Sequence, residues 1–169
     1  LAAGSTPPAP ADEPVALPQI RHGHALVAGE TGSGKSTAMR AVLAARRSVV
    51  VLDPHSAGAD WGAARIVGAG RDFEAIGAYM DEMRRMLSER YAERSGGRMD
   101  FEPHTVAVDE MQAIVGAVGR DIEATWREWL REGRKVGLYL VLATQSTRVR
   151  TLGIQGEKDL LENFGVVLV

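Results

Sequence analysis

Two short stretches and one isolated side chain carry the residue types that chemistry needs. The first is VAGETGSGKSTAMR, residues 27–40. Within it Gly29-Glu30-Thr31-Gly32-Ser33-Gly34-Lys35-Ser36 has the spacing G-x-x-x-x-G-K-S, set between an apolar run and a helical pattern. Glycines at that spacing let backbone N–H groups converge on phosphate oxygens, and the helix N-terminus that follows adds the positive end of its dipole. Lys35 then reaches the β and γ phosphates, and the Ser36 hydroxyl takes a Mg²⁺ ligand position with Thr37 beside it. The second stretch is TVAVDEMQ, residues 105–112. Asp109 closes an apolar strand, so its carboxylate emerges at the strand's C-terminal edge, where a phosphate loop also leaves a parallel sheet. At that place Asp109 fits magnesium coordination, and Glu110 fits a general base that polarises an attacking water. Acidic residues serving a helix dipole are the other reading of this pair. The isolated side chain is Gln145, at the end of the apolar run LYLVLAT. There it would sit beside a γ-phosphate and report its presence, although ordinary strands also end on polar residues.

The elements that position these groups follow from periodicity. HALVA (24–28), SVVVLD (48–53), HTVAVD (104–109) and VGLYLVLAT (136–144) are short, nearly continuous apolar runs, as expected of parallel strands covered on both faces. ARIVG (64–68) and VVLV (166–169) read as further short strands. Helices are expected over 35–46, 72–95, 123–135 and 157–164. The long one places Phe73, Ile76, Met80, Met83 and Leu87 at spacings of three and four, with Asp72 as its N-cap. Alternating strands and helices predict an α/β fold, a mostly parallel sheet with helices on both faces. Residues 1–18, rich in Pro and Ala, read as a linker or arm, which leaves residues 19–169 as one folded domain.

Composition narrows the function classes. A chain of 169 residues is long enough for one domain with a substantial core. Its net charge of −2 and 5% aromatic content argue against a broadly basic or base-stacking surface. Any nucleic acid must be held by a local patch or shared among subunits. Having no cysteine excludes disulfide frameworks and thiolate zinc sites and suits the cytoplasm. No apolar run approaches the roughly 20 residues of a membrane span. A start without Met and an end inside GVVLV read as a domain cut from a longer protein, which could itself be membrane-tethered. Asp53 ends the second strand at the same sheet edge, either near the nucleotide or as a helix cap. His55 has no second histidine at metal spacing. Trp61, Trp126 and Trp129 read as core or interface residues.

Taken in order, HALVAGETGSGKST, TVAVDEMQ and WLREGRKVGLYLVLATQS resemble the FtsK/SpoIIIE–HerA superfamily of P-loop DNA translocase ATPases. The resemblance covers about residues 20–169. Supporting pieces are His24 ahead of the loop, Glu82-Met83 and Arg90-Tyr91 in the long helix, and VVLDPH (50–55), in which Ser56 follows where a Gly is expected. The resemblance implies a RecA-like motor domain that binds ATP and Mg²⁺ and works as a homo-hexameric ring on double-stranded DNA. It implies hydrolysis at subunit interfaces with an arginine supplied by the neighbour. Arg134 matches the Arg of the EGRxxG block, with Arg131 as second choice. A solvated helix face, with Glu128 and Glu132 as partners, is the other reading of both. It further implies that the loop STRVRTLGIQG (146–156) faces the pore, where Arg148 and Arg150 meet DNA phosphates, although Ser146-Thr147-Arg148 departs from the family's RPS. A related motor that moves protein or a protein–DNA complex is the alternative function. A small nucleotide kinase would need an arginine-bearing lid, and no segment reads as one.

Overall fold

A computed structural model describes residues 22–58, 60–119, 121–145 and 163–168. The expected arm (1–18) and most of the expected helix over 157–164 lie outside these residues. The strands are β1 (His24–Ala28), β2 (Ser48–Leu52), β3 (Arg65–Val67), β4 (His104–Val108), β5 (Leu138–Thr144) and β6 (Phe164–Leu168). The helices are α1 (Lys35–Ala44), α2 (Phe73–Ser95), α3 (Met111–Val118) and α4 (Asp121–Glu132), and a 3₁₀ turn (Gly133–Val136) leads from α4 into β5.

Among the described residues every strand pairing is parallel, in the order β3-β2-β4-β5-β1-β6. The apolar runs explain this arrangement. β1 is buried along its whole length, as are the last residues of β2, β4 and β5, so each strand needs cover above and below. On one face, α2, α3 and α4 bury Ile76, Met83, Ile114, Trp126 and Trp129 against Leu26, Leu52, Val106 and Leu140. On the other, α1 brings Ala38, Met39, Val42 and Leu43 onto Ala25, Val27, Val51, Ala107 and Val141, joined by Trp61. The expected α/β fold with helices on both faces is therefore observed.

Helix α2 starts where its cap predicts. The Asp72 carboxylate accepts the Ala75 N–H at 2.9 Å, and Gly96 ends the helix. Its buried stripe is Ile76, Tyr79, Met80, Met83 and Leu87, with Phe73 only partly covered. Several elements differ from expectation. Helix α3 is additional: MQAIVGAV carries a glycine and three β-branched residues and is a poor helix by propensity, yet burying Met111 and Ile114 beside α2 holds it. The helix expected over 123–135 stops at Glu132, because the next residues tighten into the 3₁₀ turn. Phe164, expected to close a helix, begins β6 instead, where it pairs with His24.

Polar cross-links tie the N-terminal edge of the sheet. Arg46 donates to Thr105 Oγ1 at 3.1 Å and to the Gly23 carbonyl at 2.9 Å. His24 Nδ1 accepts the Leu140 N–H at 2.9 Å, and His104 contacts Ser48 Oγ at 2.7 Å and Tyr79 Oη at 3.1 Å. Both rings stay neutral. Burial, aided by the charges of Arg134 and Arg46, pushes His24 down to about 3. Burial, aided by Arg90 and Arg65, pushes His104 down to about 4. Between these values and the unfolded value near 6.5, the unfolded chain binds more protons, so stability rises with pH. Urea unfolding followed from pH 7.5 to pH 5 should therefore show stability falling once the pH drops below about 6.5. The slope should be roughly 1.4 kcal/mol per pH unit for each histidine, and His104→Gln should remove about half of it.

Candidate functional site

Strands β4, β5 and β1 end side by side, and the loops that leave them form one edge. The glycine-rich loop leaves β1, and its Gly29 N–H donates to the Thr144 carbonyl of β5 at 3.2 Å. A turn follows, with the Ser33 N–H on the Glu30 carbonyl at 3.2 Å. Gly32 (φ +81°) and Gly34 (φ +95°) hold left-handed conformations that side-chain-bearing residues adopt only with strain. Gly34 is also the N-cap of α1, and no side chain caps the helix there. The first N–H groups of α1 thus stay available to an anion, and Thr31, Ser33, Ser36 and Thr37 are exposed around them.

Two side chains of α1's first turn show what the loop is waiting for. Lys35 Nζ donates back to the Glu30 carbonyl at 2.6 Å, so its charge lies over the loop. Ser36 Oγ donates to Asp109 Oδ2 at 3.2 Å, which joins the glycine-rich loop to the end of β4 across 73 residues of sequence. The other oxygen, Asp109 Oδ1, accepts the Glu110 N–H at 3.0 Å. Burial raises the Asp109 carboxyl above the usual carboxylate range, the Glu110 N–H opposes that shift, and the nearby Asp53 charge reinforces it. A cation at this place would relieve that cost.

Glu110 is exposed and strained. At φ +53° and ψ +44° it is one of two non-glycine residues with positive φ among the described residues, the other being Arg71. It opens α3 without capping it. Strain of this kind is retained where a side chain must be aimed. Lys35, Asp109, Glu110 and Gln145 line one narrow cleft between the loop, β4 and β5. The structure thus gathers the four groups that the sequence singled out from three separate stretches.

A second cavity, of about 230 Å³, is lined by Ser36 and Asp109 together with Arg40, Asp53, Asp60 and Trp61. Asp53 is only 6% exposed and accepts from Trp61 Nε1 and from the His55 N–H, both at 2.8 Å. Asp60 accepts from the Ala57 N–H at 3.0 Å and from Ser56 Oγ at 3.3 Å, and Arg40 donates to the Asp60 carbonyl at 3.3 Å. Arg40 and Asp60 were not singled out by the sequence, since this loop has no periodicity and matches no spacing motif. The one signal there was the Asp53–His55 run. Among the described residues no group of three or more His, Cys, Asp or Glu side chains could hold a metal by itself.

Arg134 lies elsewhere. It is exposed on the 3₁₀ turn before β5, at the edge opposite the glycine-rich loop. The seven residues of β5 separate the two edges by about 20 Å, so Arg134 cannot touch its own chain's cleft. Arg131 is exposed in the last turn of α4, near that same opposite edge. Arg148 and Arg150 lie outside the described residues.

Residues 20–152 match the family described as the AAA domain. No curated protein matches the chain in sequence. Among solved structures, the pCW3 conjugation coupling protein TcpA, in a monomer form with ATPγS, is similar with a TM-score of 0.57 at 17% identity. That likeness covers 88% of this chain and 49% of TcpA. The cytoplasmic domain of the type VII secretion ATPase EccC from Thermomonospora curvata is similar with a TM-score of 0.53 at 18% identity, over 85% of this chain and 20% of that one. ATPases 2 and 3 of EssC from Geobacillus thermodenitrificans give 0.52 at 18% identity, over 86% of this chain and 32% of that one. The chain thus spans about half of TcpA and less of the other two. At these identities the likeness is one of fold. The P-loop NTPase core that the resemblance implied is the fold observed.

The strain at Glu110 has a measurable consequence. Glu110→Gly should raise stability in urea by about 1 kcal/mol, because glycine adopts positive φ freely. Glu110→Gln, which keeps the strain, should leave the urea midpoint unchanged.

Proposed function

The chain is a P-loop ATPase domain of the AAA domain family, and from that premise we propose that it is the ATP-hydrolysing motor that moves double-stranded DNA through a hexameric ring. The observation that carries the ATPase part is the single cleft in which Lys35, Asp109, Glu110 and Gln145 meet beside the uncapped N-terminus of α1. On this reading Gly29, Glu30, Thr31, Gly32, Ser33 and Gly34 wrap the phosphates with backbone N–H groups. Lys35 leaves the Glu30 carbonyl for the β and γ phosphates. Ser36 and Asp109, already 3.2 Å apart, are the residues that would hold Mg²⁺, which supplies charge neutralisation on the phosphate oxygens when bound. Such a donor pair suits magnesium, which takes one or two protein ligands and fills the rest of its shell with phosphate and water. Glu110 accepts a proton from the attacking water, and Gln145 contacts the γ-phosphate from β5.

The two edges support the assembly proposed. Arg134 sits at the edge away from its own cleft, so in a head-to-tail ring it would face the neighbour's phosphates. An arginine supplied in this way is worth roughly 10³ to 10⁵ in rate. Arg148 and Arg150 are the proposed DNA contacts of the pore. Six copies there would make a basic ring although each chain is acidic overall. Residues 19–169 are the motor domain on this reading, residues 1–18 its arm, and the domain works in the cytoplasm.

A second reading keeps the ATPase and changes the cargo to protein or a protein–DNA complex. It is favoured by the likeness to EccC, a type VII secretion ATPase. Turnover measured with and without long linear double-stranded DNA, at two salt concentrations, separates them. Stimulation that fades with added salt is expected for the translocase, because phosphate tracking releases counterions. A hexamer stimulated only by a protein partner would establish the second reading instead. In either case Lys35→Ala should weaken ATP binding. Glu110→Gln should bind and retain ATP while turnover falls roughly 10²-fold or more.

A further inference from the structure

The turn that displays Arg134 is held far more firmly than a surface loop needs to be. Its two ends are glycines that tolerate no side chain. A Cβ on Gly133 would come within 2.7 Å of the Leu138 carbonyl oxygen. One on Gly137, which has φ +71°, would come within 3.0 Å of the Phe101 carbonyl oxygen. Between them Val136 is fully buried. Three side chains from the C-terminal part of α2 then reach the turn and the residues flanking it. Arg90 Nη1 donates to the Val136 carbonyl at 2.8 Å and to the Glu102 carbonyl at 2.9 Å. Tyr91 Oη donates to Glu132 Oε2 at 2.6 Å, and Arg94 Nη1 donates to the Lys135 carbonyl at 3.1 Å.

The charges on the turn are treated unequally. Glu132, oriented by Tyr91, draws in Lys135 Nζ at 2.9 Å. The Arg134 guanidinium, next to it, is exposed and makes no side-chain hydrogen bond or ion pair among the described residues. A backbone fixed from three sides, with one cation neutralised locally and the other left available, is how a guanidinium is presented to something outside the chain.

We propose that Arg90 and Tyr91 are positioning residues for Arg134: they clamp the 3₁₀ turn so that the guanidinium reaches the neighbouring subunit's phosphates in one fixed place. This rests on the reading of Arg134 as the residue supplied in trans. A misplacement of about 1 Å can cost roughly 10²-fold in rate, so a loosened clamp lowers turnover even with Arg134 intact. Neither residue touches the cleft of its own chain, so nucleotide affinity of the unassembled protein is untouched.

The test compares Tyr91→Phe, Arg90→Gln and Arg134→Ala in the assembled ATPase. Three quantities are read: kcat, the nucleotide Kd of the unassembled chain, and amide exchange across residues 132–137. Tyr91→Phe removes one hydroxyl and is the variant least able to disturb folding. The expected result is faster exchange in the turn and a kcat lowered about 10-fold by Tyr91→Phe and about 10²-fold by Arg90→Gln, with Kd unchanged. Unchanged kcat in both clamp variants, while Arg134→Ala is inactive, would overturn the clamp and leave the trans arginine standing. A Kd that weakens in step with kcat would also overturn it, since the effect would then pass through the fold. Full activity in Arg134→Ala would overturn the trans reading itself.

Discussion

Everything at the nucleotide edge depends on where β5 runs. It hydrogen-bonds to β1 on one side and to β4 on the other, so Val141 stands level with both Ala25 and Ala107, and Leu142 with both Leu26 and Val108. Three strands in one register must end together. That common end brings a loop from residue 29, a carboxylate from residue 109 and an amide from residue 145 to one cleft. A strand order that left β1 and β4 at opposite sides of the sheet would have scattered the same residues. The register depends in turn on apolar residues pointing to both faces, so the hydrophobic pattern is what fixes the chemistry's geometry.

The site itself is built from local arrangements that are unfavourable until a ligand arrives. Helix α1 begins without a side-chain cap. The Asp109 carboxyl is buried enough to raise its proton affinity, with Asp53 close by. Glu110 holds a conformation that most residues avoid. Each of these costs stability in the free chain, and on the proposed reading each would be answered by a bound species: anionic oxygens at the helix, a cation at Asp109 and the attacking water at Glu110. The cores on the two sheet faces, Trp126, Trp129 and Met83 on one and Met39 and Val42 on the other, carry the stability that lets the edge remain unrelaxed.

Much of this was legible in the amino-acid order because it is written in short range. The spacing of Gly29 to Ser36, the apolar runs ahead of Asp109 and Gln145, and the Asp72 cap of α2 are all contained within a few consecutive residues. What stayed hidden depends on partners far apart in the chain. Helix α3 has weak propensity and exists because α2 covers it. Asp60 and Arg40 meet beside Asp109 through a loop with no period. The 3₁₀ turn looked like the end of α4, because its tight winding is imposed by Leu138 and Phe101 packing against glycines. The roles assigned to Arg148 and Arg150 remain readings of the sequence.

The bond between Trp61 and Asp53 ties one of the three tryptophans to the nucleotide edge. Trp126 and Trp129 are sealed on the face of the sheet covered by α2, α3 and α4. Trp61 belongs to the opposite face and donates its indole N–H to a carboxylate that shares a cavity with Ser36 and Asp109. Indole emission shifts with the field along its ring, so a cation held beside Asp109, as proposed, would act on Trp61 across their shared cavity. On the proposed reading Trp61 would therefore be a native fluorophore for occupancy of the site.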